Sequence, residues 1–99
     1  MRLIRVRAAS ALEDHRLRLQ LTTGQVVERD LSGVLTGPIF EPLRSDERIF
    51  RDVHVEGGTV VWPNGADICP DVLIWGGPPP EDDRKPPEML RLEQEKPSR

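Results

Sequence analysis

The side chains best suited to chemistry are few and scattered along the chain. Cys69, the one cysteine, stands directly before Pro70, where a helix could begin and lower the pKa of a thiol at its N-terminus. With His54 as base and Asp67 as orienting acid it would form a thiol nucleophile. His54, however, falls inside a presumed strand, and nothing in the spacing brings it to Cys69. Asp67 and Asp71 are four apart and can share a helix face. With Asp30 they would offer hard oxygen ligands, but a cation site needs more converging groups than this spacing assures. Capping and first-turn roles explain these carboxylates more simply. His15 and His54 are too isolated to be ligands. The sequence contains no glycine-rich phosphate loop, no Cys-x-x-Cys and no Gly-x-Ser-x-Gly. The expectation is a chain with no catalytic residue, no cofactor and no metal.

Three other features could bind a partner. Arg5, Arg7, Arg16 and Arg18 would share one face if the first two strands pair antiparallel. A basic face without aromatic side chains cannot stack bases, but it can grip phosphates without reading sequence. Glu13, Asp14 and Glu28 would partly neutralise it, and cross-strand pairing on a solvated face is the simpler reading. The block Trp62-Pro-Asn-Gly-Ala-Asp67 offers Trp62, Asn64 and Asp67 as ligand contacts on a loop. Each of its residues also has an ordinary turn or core role. Finally, Met89, Leu90 and Leu92 are apolar anchors in a polar tail, suited to folding on a partner.

These residues are positioned by elements that the periodicity predicts. Residues 3–8 alternate, with Ile4, Val6 and Ala8 on one side. Residues 15–22 alternate more cleanly, with Leu17, Leu19 and Leu21 inward. Thr23-Gly24 turns the chain into a third strand over residues 25–31, whose pattern is spoiled by Arg29 and by adjacent Val26 and Val27. Leu31, Val34 and Leu35 then have helical spacing for about one turn. Pro38 is a natural first helical residue, and Ser45 can cap a short helix running through Phe50. Val53 and Val55 lead through Gly57-Gly58, a two-residue hairpin signal, into Thr59–Trp62. Pro63 ends that strand, Asn64-Gly65 turns, and Pro70 opens a last helix to Trp75. The pattern is α+β: a three-stranded N-terminal meander and a C-terminal hairpin, with short helices.

Composition sets the limits of this domain. Residues 76–99 hold six of the ten prolines and eleven of the 31 charged residues. Such a segment cannot bury enough apolar surface to offset its ordering entropy. The expected organisation is one domain over residues 1–75 and a largely disordered tail over 76–99, in which Glu88 to Glu95 could form two helical turns. A domain this small is marginal alone, so a homodimer or another small protein would support it. The net charge of −3 conceals a split. Residues 1–29 carry six arginines against three acids, and residues 30–75 carry three against eight. A single cysteine excludes an internal disulfide. Neither a signal-peptide stretch nor a membrane span is evident, which favours the cytoplasm.

The segment from Asp30 to Leu73 carries a further pattern. It reads Asp30-Leu-Ser, then Gly37-Pro-Ile-Phe-Glu-Pro-Leu43, then Gly58-Thr-Val-Val-Trp-Pro-Asn-Gly-Ala-Asp67, then Pro70-Asp-Val-Leu73. With the two N-terminal strands this resembles the bacterial domain-of-unknown-function family numbered 2442. The resemblance implies a small α+β domain and no particular reaction. It implies, circumstantially, a protein encoded beside another small protein in a toxin–antitoxin-like arrangement. Some relatives carry a helix-turn-helix domain, for which 99 residues leave no room. Where relatives place a polar residue before the last helix, this chain has Cys69, a weak hydrogen-bond acceptor. The expected function is therefore a non-enzymatic protein-interaction module, the antitoxin-like partner of a small toxin. The alternatives are a nucleic-acid-binding accessory protein that uses the arginine face and, behind it, a Cys-dependent hydrolase.

Overall fold

A computed structural model describes residues 4–77, 80–82 and 84–93. The N-terminal meander forms as expected. Strands β1 (Val6–Ala11), β2 (Arg16–Leu21) and β3 (Val26–Gly33) pair antiparallel in sequence order. Leu17, Leu19 and Leu21 of β2 are fully buried, as their period of two requires.

The inward set of β1 differs from the expected one. Val6 is buried, but a register shift between Val6 and Ala8 turns Ala8 outward and brings Ala9 and Ala11 onto the core. An extra residue in one strand reverses the alternation beyond it. In β3 the inward set is Val27, Arg29 and Leu31. The alternation is thus regular, with an arginine at an interior position.

Beyond Gly33 the chain makes short pieces. Leu31 belongs to β3, not to a helical turn, and Leu35 enters the core from the loop that follows. A 3-10 turn over Pro38–Phe40 leads into helix α1 (Glu41–Ser45), and α2 follows over Glu47–Arg51. Its cap is Asp46 and not Ser45: the Asp46 carboxylate accepts the Arg48 backbone N–H at 3.0 Å, while the Ser45 hydroxyl donates back to the Glu41 carbonyl. The neighbouring Arg48 holds the Asp46 carboxyl below its usual pKa.

Strands β4 (His54–Glu56) and β5 (Thr59–Val61) form the expected hairpin, and β6 (Asp67–Ile68) adds to β5. Gly57 and Gly58 both have positive φ, 59° and 82°, which a two-residue primed turn demands. The last helix, α3, spans Pro70–Trp75 and ends on left-handed Gly76.

The largest departure lies in the tail. Residues 84–93 are described, and Met89–Glu93 form a strand, β7, rather than helical turns or a disordered terminus. It pairs parallel with β3, completing a sheet of order β1-β2-β3-β7. Composition argued against this because the tail has too little apolar surface for a core of its own. Here it joins an existing core, with Leu92 only 1% exposed. Residues 94–99 lie outside the described residues. One face of the four-stranded sheet packs on Leu43, Phe50, Trp62, Leu73 and Ile74 in a single core; the other faces outward.

Candidate interaction surface

Alternation places Arg16 and Arg18 on the outward face of β2, opposite Asp30 and Glu28 of β3. Both arginines reach Glu28, at 3.7 and 3.4 Å. Asp30 sits across from Arg91 of β7. Its carboxyl is held below the ordinary range, first by the Ser32 backbone N–H and then by the Ser32 hydroxyl, Arg91 and Arg16. The face is therefore a lattice of both signs. Two of the four arginines expected to build a basic face are matched by Glu28. Arg7 is exposed at the β1 irregularity. Arg5 lies beside the β4–β5 turn, where its side chain would come within 3.0 Å of a Cβ added at Gly58. That closeness, with positive φ, explains why glycine is needed there.

Val26 and Met89, exposed on β3 and β7, add apolar surface to the same face. Of the three tail residues expected as partner anchors, Met89 alone is free to act as one. Leu92 is buried in the chain's own core and Leu90 packs against it.

The Trp-Pro-Asn-Gly block is built into the fold. Trp62 is buried, stacks on Phe50 at 5.9 Å between centroids and donates its indole N–H to the Phe50 carbonyl at 2.9 Å. Asn64 donates to the Ile39 carbonyl and accepts the Ala66 N–H, tying this turn to the 3-10 segment. Asp67 is exposed on β6. His15, at positive φ, packs edge-on against Phe50.

Cys69 is exposed at the start of α3, and its side chain makes no capping hydrogen bond. The His54 Nε2 is engaged with Glu56 at 2.8 Å. Among the described residues no group of three His, Cys, Asp or Glu side chains could hold a metal ion. Replacing Cys69 by aspartate should stabilise the protein by about 1 kcal/mol, because a carboxylate accepts the free N–H groups of the first turn. A urea midpoint that does not rise would show that those donors are already satisfied.

Arg29 is the residue that sequence reasoning missed. It is fully buried. Its Nε donates to the Leu73 carbonyl and its Nη2 to that of Ile74, at 2.9 Å for the second. Its Nη1 donates to the Glu28 carbonyl at 2.7 Å. Leu73 and Ile74 lie in the last turn of α3, whose carbonyls have no helical partner. A guanidinium fork supplies the missing donors and meets the negative end of the dipole. Burial pushes its pKa down to about 10, so it remains charged at neutral pH. The signal was present: Val27, Arg29 and Leu31 keep the period of two.

No helix among the described residues is long and apolar enough to cross a membrane. No curated protein matches the chain. Among solved structures, a candidate DNA-binding protein of Nitrosomonas europaea ATCC 19718 is similar, at 28% identity and a TM-score of 0.52. The match covers 67% of this chain and 39% of that one, so the chain spans well under half of its neighbour. The family model described as a protein of unknown function (DUF2442) matches residues 6–79. With meander, hairpin and Trp-Pro-Asn-Gly turn all inside that match, the chain belongs to the DUF2442 family.

Proposed function

We propose that this chain is a non-enzymatic module that binds another small protein. The observation that supports this reading best is the mixed-sign outward face of the sheet. There Arg16, Arg18 and Arg91 alternate with Glu28 and Asp30 beside exposed Val26 and Met89. A lattice of both signs with apolar points suits a protein surface, where complementary charges fix register and partner choice. It suits a polyanion poorly. The family resemblance directs the search to the product of the adjacent gene, in an antitoxin-like pairing.

Affinity capture of the tagged full chain from its native host, followed by light scattering, tests the reading. A stoichiometric complex is expected, weakened by Glu28→Arg. A chain that stays free and monomeric at cellular concentration overturns it.

The similarity to a candidate DNA-binding protein supports a second reading, a nucleic-acid accessory role through Arg5, Arg7, Arg16 and Arg18. It requires affinity for generic duplex that falls steeply with salt and drops when these four become alanine. Failure of either removes it.

A further inference from the structure

The strand β7 stands apart from the domain it completes. The family match ends at residue 79, so everything that pairs on the free side of β3 comes from the segment beyond it. That segment is tied to β3 by a parallel ladder that pairs Glu28 with Met89, Arg29 with Leu90 and Asp30 with Arg91. The Glu28 N–H donates to the Glu88 carbonyl at 2.7 Å, and Gln25 donates to the Pro86 carbonyl at 2.8 Å. Leu90 lies opposite Arg29 and packs over the α3 terminus, its Cδ2 3.3 Å from where a Cβ on Gly76 would sit. Leu92 enters the core. Arg91, between them, faces Asp30. Without β7 the domain would present an edge of unpaired backbone groups, two apolar seats two residues apart and one carboxylate between them. Edge strands of this kind are templates for an added strand.

We propose that the β7-side edge of β3 is a strand-docking site for a partner protein's extended segment of leucine–basic–leucine type, running parallel to β3. The chain's own Leu90-Arg91-Leu92 occupies the site in cis. This inference rests on the protein-binding reading above and names where and what the module binds. A tethered segment acts at an effective concentration in the millimolar range, so an incoming strand must outcompete it and weak ligands are rejected.

Two measurements on the full-length chain test it. In hydrogen exchange, the Glu28 amide, bonded to Glu88, should exchange at least tenfold faster than the Leu31 amide, bonded to His15 on the β2 side. Equal exchange of both at the global unfolding rate overturns the proposal, since β7 would then be inseparable from the domain. In the second, a fluorescein-labelled peptide of residues 86–93 is titrated into wild type and into Leu90→Asp/Leu92→Asp. The variant, its own strand released, should bind at least tenfold more tightly than wild type, and the peptide with both leucines changed to aspartate should not bind. A folded variant that ignores the peptide overturns the proposal. If the variant does not fold, the exchange result on wild type decides. A chain that captures a partner yet fails these tests keeps the module reading and loses this site.

Discussion

Arg29→Ala should destabilise the protein by roughly 3–5 kcal/mol, a large part of the ~5–15 kcal/mol that a chain of this size commonly has. The change removes a buried cation whose donors satisfy the carbonyls of Leu73, Ile74 and Glu28. Each carbonyl left buried without a partner costs about 1–3 kcal/mol. Arg29→Met keeps most of the apolar stem, and so separates lost hydrogen bonds from lost packing. Arg29→Lys keeps the charge but lacks the fork, and should recover only part of the loss because one ammonium cannot reproduce the geometry of three donors. Urea unfolding followed by far-ultraviolet circular dichroism measures all three. An alanine variant within 1 kcal/mol of wild type would show that Arg29 does not hold α3 to the sheet.

The second large effect is expected at Trp62. Truncation to alanine empties the space beside Phe50 and should cost about 3–5 kcal/mol. Trp62→Phe keeps a ring to stack on Phe50 and loses the N–H bond to the Phe50 carbonyl, so it should cost about 1–2 kcal/mol. The ratio is informative. If phenylalanine is as damaging as alanine, the hydrogen bond that ties the β5 terminus to α2 outweighs the packing. Asn64, whose amide holds the same turn to Ile39, should couple with Trp62 in a double-mutant cycle.

Local pattern made much of this fold legible. The leucines of β2, the paired glycines of the β4–β5 turn, and Pro38 and Pro70 at helix starts each encode their element within a few residues. Each misreading has its own cause. Arg29 was read as a break in the β3 pattern because charge is ordinarily outward; its inward place is decided by the open carbonyls of α3, 44 and 45 residues away in sequence. Ala8 and Ala9 have the same side chain, so nothing in them announces the β1 irregularity. Ser45 and Asp46 are both good caps, and the β-region backbone at Asp46 selects the second.

The candidate surface divides in the same way. That Arg16 and Arg18 face outward follows from alternation alone, and so does the presence of Glu28 nearby. That Glu28 takes both arginines, and that Asp30 meets Arg91, depends on the register of three strands.

By itself the amino-acid sequence determined the class of the protein, its meander and hairpin, its helix starts and most of its core, because alternation, turn chemistry and capping act over a few residues. Only the tertiary structure decided that Arg29 goes inside and that Met89–Glu93 becomes a strand. Both outcomes depend on unsatisfied backbone groups, at the end of α3 and along the edge of β3. Such groups exist only once distant parts of the chain have come together.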